Sequence, residues 1–308
     1  MATVRRSARR TDHARLRALA VTAVLAAPFV LGAVAQARPS LASQQAEVAF
    51  RITDRQIAES SGLVVLPVDG EELAVTVNDS GDSGRVFTID PATGDTVGIT
   101  TFSPEPRDVE ALAPAGDGHV WVADIGDNLK ARDSIRVTRV PVGRGDRDAG
   151  RAESYELTYP DRPRDAEALV AHPSTGRLYV ISKRVLGGTV HVAPETLDAD
   201  APNVLEKVGN APSLVTDAAF APSGDLVVMR SYSHAWVKTF PDLDVVADFP
   251  LPQQPQGEGV AIDAAGHVLL STEGLERPVL IAPLPVGLRT ELAGASFFWR
   301  TLYRHLDD

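Results

Sequence analysis

A short phrase recurs five times in this chain and constrains its fold more than any other feature. It reads Ala58-Glu59-Ser60-Ser61-Gly62-Leu63, Asp108-Val109-Glu110-Ala111-Leu112, Asp165-Ala166-Glu167-Ala168-Leu169, Thr216-Asp217-Ala218-Ala219-Phe220 and Gly257-Glu258-Gly259-Val260-Ala261. Each copy sets an acid before a run of small apolar residues, then a tight turn, then an alternating strand. The acids are 51, 57, 50 and 41 positions apart. A period of roughly 40 to 50 residues made of several short strands predicts an all-β propeller, whose innermost strands surround one axial channel.

Four pieces recur in each repeat. An apolar strand follows the acid. Next comes a turn such as Pro173-Ser174-Thr175-Gly176 or Pro222-Ser223-Gly224-Asp225, where Pro presets φ and Gly supplies the positive φ. Second strands such as His119-Val120-Trp121-Val122-Ala123 and Arg177-Leu178-Tyr179-Val180-Ile181 are rich in β-branched and aromatic residues. Third strands alternate with period two, and fourth strands are fainter, as at Val97 to Phe102 and Val204 to Val208. The segment from Gly143 to Gly150 reads as a charged, exposed loop. Two strands are left over, Glu47 to Ile52 and Ser296 to Tyr303; one closes the last blade by pairing the chain ends, or both together make a degenerate sixth. Five repeats are visible, and residues 47–308 are expected to form one propeller domain.

The first 37 residues carry a different signal. Arg5, Arg6, Arg9, Arg10, Arg15 and Arg17 form a basic region, residues 18–37 carry no charge, and Ala35-Gln36-Ala37 fits a small-x-small cleavage site. A cleaved signal peptide (1–37) with a short linker (38–46) is one reading, favoured by Pro28, Gly32 and the run of Ala. An uncleaved N-terminal anchor is the other. The Arg5-Arg6 pair leaves general and twin-arginine export both open. Either way the folded part is expected outside the cytoplasm, secreted or extracytoplasmic, with no membrane span once a signal is cleaved. With no Cys there are no disulfides and no thiol nucleophile. Loss of the signal removes six Arg and one Asp and takes the net charge from −11 to −16, which argues against nucleic acid as a partner.

Propeller topology turns the repeats into a site. Residues before the first strand and after the second meet at the same mouth. The first set holds Glu59, Glu110, Glu167, Asp217 and Glu258, flanked by Asp108 and Asp165. The second holds Asn78, Asp79, Asp124, Asp127, Asn128, Lys183, Arg184, Arg230 and Glu273. Hard oxygen donors in number suit Ca²⁺, and clustered cations suit a carboxylate or phosphate ligand. The plainer reading is that an acid at an inner-strand start accepts backbone N–H bonds and that Asp-Gly loops are Asx turns. Against it stands the repulsion among five like charges near one axis. The chain has no Gly-x-Ser-x-Gly, Ser-x-x-Lys or His-Glu-x-x-His motif. His234 alone sits where a histidine base could reach the mouth.

The phrases Glu59-Ser60-Ser61-Gly62-Leu63, the repeated Asp-x-Glu-Ala-Leu, and Gly257-Glu258-Gly259-Val260 followed by Leu269-Leu270-Ser271-Thr272-Glu273-Gly274 resemble the phytase-like and esterase-like phytase propellers. More loosely, the chain is similar to the SMP-30/gluconolactonase and NHL propellers. The phytase-like resemblance implies calcium on the channel acids and phosphate on Lys and Arg, here Lys183, Arg184 and Arg230. The denser acidic runs and the sixth repeat of that family are missing. Two functions are therefore expected as alternatives: an exported monomeric binding or scaffold module with an acidic, Ca²⁺-holding mouth for a small anionic ligand or a protein partner, or a Ca²⁺-dependent hydrolase of a phosphoester or lactone.

Overall fold

The computed structural model describes residues 46–79 and 81–294. After strand β1 (Glu47–Arg51), blade one runs β2 (Ser60–Val68), β3 (Glu71–Asn78), β4 (Arg85–Ile89) and β5 (Thr96–Ser103), each antiparallel to the last. Blade two takes β6 (Val109–Pro114), β7 (His119–Asp124) and β8 (Ile135–Pro141). The chain then leaves as β9 (Arg147–Arg151), parallel to β5 on the outside of blade one, and returns as β10 (Glu153–Thr158). Blade three comprises β11 (Ala166–Ala171), β12 (Leu178–Ser182) and β13 (Gly188–Val192). A two-residue β14 (Asn203–Val204) pairs parallel with β10, and β15 (Glu206–Ala211) completes the blade. Blade four is β16 (Asp217–Phe220), β17 (Leu226–Arg230), β18 (His234–Thr239) and β19 (Val245–Pro250). Blade five is β20 (Gly257–Ile262), β21 (Val268–Thr272) and β22 (Pro278–Ile281), with β1 as its outer strand. One turn of helix, α1 (Leu288–Leu292), follows.

The inner strands touch in the cyclic order β2, β6, β11, β16, β20 and back to β2, which makes a five-bladed ring. Apolar side chains fill each space between neighbouring blades. Val75 and Val77 meet Leu112 and Val122 between blades one and two, and Phe50, Phe87 and Ile89 meet Ala261 and Val279 where blade five returns to blade one. Burying each such side chain stabilises the fold by about 1.5–3 kcal/mol.

The pairing of Glu47 with Ile281 and Arg51 with Pro278 shows that β1 closes the last blade. The other leftover strand, Ser296 to Tyr303, lies outside the described residues, as do the signal segment and nearly all of the linker. Two local expectations are corrected. Residues Arg147–Arg151 form a strand rather than a loop, because an outer edge needs only backbone partners and tolerates charge; Asp146 assists by accepting the Ile99 N–H at 2.9 Å. The single fourth strand expected at Val204 to Val208 is divided between blades two and three. Among the described residues, no helix is long and apolar enough to cross a membrane.

Candidate functional site

Strand register decides which acids share the mouth. The last residue of each second strand, Asn78, Asp124, Ser182, Arg230 or Thr272, pairs with Ser60, Val109, Ala166, Asp217 or Gly257. Beyond that pair the inner strands of blades one, two, three and five each carry one extra residue, whereas blade four continues in register. Such a bulge re-aims the side chain it carries. Glu110 and Glu167 are the extra residues of their strands, and Glu258 lies in the shifted stretch of blade five. The matching positions are Ser61 in blade one and Ala218 in blade four, so the equivalent set is Ser61, Glu110, Glu167, Ala218 and Glu258. The blades pack so closely here that a Cβ on Gly62 would lie 2.6 Å from the Leu112 nitrogen.

A second set of groups hangs over this ring. The N–H groups of Asp79, Lys183 and Glu273 donate to the carbonyls of Glu59, Asp165 and Gln256, at 3.0, 3.0 and 2.9 Å, which gives all three the same place in blades one, three and five. In blade two Gly126 fills that place and bonds the Asp108 carbonyl at 3.1 Å. An added Cβ here would stand 2.4 Å from Asp108 Oδ2 and 2.6 Å from Glu110 Oε1, so any larger residue would push these carboxylates aside. Asp79, Asp108 and Glu110 each contribute one carboxylate oxygen to a cluster whose members lie within 4.8 Å of one another. This all-oxygen donor set in a glycine-cleared space fits a hard divalent cation.

Across the mouth the charge is partly balanced. Lys183 Nζ lies 3.0 Å from Glu167 Oε1 and donates to the Tyr232 hydroxyl at 2.8 Å. Burial pulls the Lys183 ammonium down, but the carboxylates of Glu167 and Glu258 with Tyr232 outweigh it, and the group stays charged. One cation does not satisfy the surrounding acids. Burial, then the charge of Asp79, pushes Asp108 up to about 6. Burial, then Glu167 and Asp79, pushes Glu110 up to about 11. Burial likewise raises Glu258, and lifts Glu273 to about 7. The crowd therefore holds protons near neutrality unless a second positive charge joins it.

The other residues expected at the mouth are placed as follows. Glu59 is exposed and adds its charge near Glu273. Asp217 is fully buried; its Oδ1 accepts the Ala218 N–H and its Oδ2 the Val260 N–H, both at 2.8 Å, so it ties inner strands together. Arg230 is also fully buried and donates to the carbonyls of Gly259, Ser271 and Ser231 and to Gln254 Oε1. Neither side chain reaches solvent. Asn78 clamps the blade-one entry loop by accepting the N–H groups of Ala58 and Glu59 at 3.1 Å. Asp124 Oδ1 accepts the Asp108 N–H at 3.0 Å and Arg132 Nη1 at 2.8 Å, while its buried Oδ2 has no partner in the protein. Asp127 caps its own loop through the N–H groups of Ala131 and Arg132. Asn128 and Arg184 are exposed on loop tips, and exposed His234 packs beside Trp236 with ring centres 6.0 Å apart. Asp108 and Tyr232 fell within the segments expected at the mouth but were not singled out as ligands. Asp108 had its signal in its place two residues before Glu110, and Tyr232 in the loop that follows the second strand of blade four.

No family model and no curated protein matches the chain. Solved structures with a similar course include Myxococcus xanthus glutaminyl cyclase, at 13% identity over 78% of this chain and 97% of that one with a TM-score of 0.47. A glucose dehydrogenase matches at 14% identity over 74% and 84%, with a TM-score of 0.43. Kuenenia stuttgartiensis hydrazine synthase matches at 14% identity over 76% of this chain, with a TM-score of 0.38, and the chain spans only 59% of that protein. Likeness at this level concerns the course of the chain and carries no activity across. Taken together, the blades and their register make the chain an all-β, five-bladed propeller with a buried acidic cluster able to coordinate a metal ion.

Proposed function

We propose that the protein is an exported binding module whose mouth holds a divalent cation, Ca²⁺ by the hardness of its donors, and captures an anionic ligand or partner group through it. The carrying observation is the convergence of Asp79, Asp108 and Glu110 on one space that Gly126 leaves clear. Three carboxylates fill fewer positions than the roughly six to eight oxygens Ca²⁺ takes, so positions remain for a ligand. Lys183, kept charged by Glu167, would receive a second anionic group. That same lysine supports the alternative, a Ca²⁺-dependent hydrolase of a phosphoester or lactone, in which the bound cation would supply Lewis acidity. The phytase-like resemblance of the short phrases points the same way.

Thermal melts in EDTA and then in millimolar Ca²⁺, Mg²⁺ or Mn²⁺ test the cation. At about 100 times its Kd a cation adds about 2.7 kcal/mol, a rise of several degrees. Glu110→Gln should lose that rise and keep the metal-free fold. No shift with any of the three cations overturns the reading. Turnover of phosphoester or lactone substrates that Glu110→Gln abolishes would establish the hydrolase instead.

A further inference from the structure

Two loops on the mouth side carry large aliphatic residues into solvent. After β7 the Lys130 N–H returns to the Asp127 carbonyl at 2.7 Å, so Asn128 and Leu129 form the tip of a hydrogen-bonded turn. After β12 the Gly187 N–H returns to the Arg184 carbonyl at 3.3 Å, and Val185 and Leu186 form the tip. Leu129 is 88% exposed, Val185 68% and Leu186 94%. Turn tips ordinarily take Gly, Pro, Asn, Asp or Ser. The turns on the opposite face do so, as in Pro173-Ser174-Thr175-Gly176 and Pro222-Ser223-Gly224-Asp225. A propeller turn therefore does not require the aliphatic residues at these two tips.

The two loops are neighbours, and each is fastened at its base. Asp165, at the start of blade three, holds both: its Oδ1 accepts the Asp127 N–H at 3.1 Å and its carbonyl the Lys183 N–H at 3.0 Å. Asp127 caps the first loop through the N–H groups of Ala131 and Arg132. The Arg184 carbonyl also accepts the Leu214 N–H at 3.0 Å, which ties the second loop to the segment that enters blade four. Loops held in this way lose little freedom on docking. Exposed cations stand on the same segments: Lys130, Arg184, and Arg162 three residues before Asp165. The exposed acids among them are Asp133 and Asp161, and Asp161 is paired with Arg164. This sector is locally positive although the whole chain carries −11, and charges more than about 8 Å away are largely screened at physiological salt.

The chemistry of the tips selects the occupant. Protein partners favour Trp, Tyr and Arg at their anchors over Leu and Val. Aliphatic side chains that stand clear of the surface, with cations beside them, match hydrocarbon beneath a layer of anionic headgroups. We infer that the rim of blades two and three is a docking surface for an anionic lipid bilayer. Leu129, Val185 and Leu186 enter the hydrocarbon, and Lys130, Arg162 and Arg184 meet the headgroups. The surface uses none of the three clustered carboxylates, so it does not rest on the cation.

The chain has no cysteine, so a single one can carry an environment-sensitive dye. With the full chain in EDTA and vesicles of phosphatidylglycerol mixed with phosphatidylcholine, a dye at Leu186→Cys should shift to the blue. A dye at Val286→Cys, fully exposed beyond β22 on the opposite face, should not. The lipid concentration that gives half the Leu186→Cys shift should rise about tenfold when Leu129→Ser and Val185→Ser are added. It should rise about thirtyfold with Lys130→Gln and Arg184→Gln. Every variant keeps residues 1–45, so differences among them read the rim and not that segment. Leu129→Ser with Val185→Ser should also keep its Tm and any rise with Ca²⁺, since both residues are exposed. No shift at Leu186→Cys, equal shifts at the two dye positions, a shift indifferent to either pair of substitutions, or the same shift with phosphatidylcholine alone would each overturn the assignment. A shift that needs Ca²⁺ would overturn it and point to the mouth. A shift without vesicles that grows with protein concentration would overturn it in favour of a second copy of the chain.

Discussion

In blade two, Glu110 is the extra residue between Val109 and Ala111; in blade four, Asp217 pairs with Arg230 and the strand runs on without interruption. The phrases around the two acids look alike. Glu110 turns into the space it shares with Asp79 and Asp108, while Asp217 turns into the protein and gathers the N–H groups of Ala218 and Val260. A single inserted residue thus separates a carboxylate that gathers charge from one that fastens strands. The strand alternates with period two, so one extra residue reverses the face on which a side chain stands.

This contrast breaks most visibly at Asp217. Asp217→Ala leaves buried N–H groups without an acceptor and takes a counter-charge from buried Arg230, and it should cost about 3–5 kcal/mol in urea unfolding. Cation affinity, measured on whatever folds, should stay within a few-fold. A stable variant that had lost the cation would erase the distinction between the two blades.

Gly126→Ala should act in the opposite sense. Its methyl would enter the space of the Asp108 and Glu110 carboxylates, so the cation-induced rise in Tm should vanish, while metal-free stability falls by about 1–3 kcal/mol. Retained binding would show that the carboxylates do not act together.

The smallest effect is a slope with pH. Asp108 and Glu273 hold their protons up to about 6 and about 7 in the folded chain, well above carboxylates in the unfolded chain. Between pH 4 and 7 the native state therefore binds more protons than the unfolded state, and metal-free stability should fall as pH rises through that window. A saturating cation favours the ionised carboxylates and should flatten the slope, a difference of a few degrees in Tm between pH 5 and 7 with and without Ca²⁺. A metal-free Tm that rises across this range would contradict the crowding of charge at the mouth.

The architecture was legible because its signals are local and repeated. Turns such as Pro222-Ser223-Gly224-Asp225 and strands such as Leu226-Val227-Val228-Met229 recur at a propeller's period, and the five blades follow from them. The site was legible only in part. Asp79 and Glu110 were expected at the mouth; their carboxylates and that of Asp108 lie within 4.8 Å of one another. Glu59 and Asp217 were grouped with the glutamates because each precedes small apolar residues. Register instead makes Ser61 and Ala218 the equivalents, and a bulge leaves no mark in residue spacing. Arg230, expected to meet an anion, lies buried among carbonyls. A cation after a second strand is as easily a clamp for buried carbonyls as an anion donor, and only its complete burial tells the two apart.

The closing strand β1 has a consequence for how the chain comes to be folded. Its partner β22 is the last strand of the propeller, so the first described strand is held by the last. Most strands of the blades pair with near neighbours in the chain, at little loop entropy, whereas the β1–β22 pairing spans almost the whole domain and costs the most. Without that pairing blade five would keep a bare outer edge. That clasp joins the two ends of the described chain and completes the blade that carries β20, which packs against β2 to close the ring.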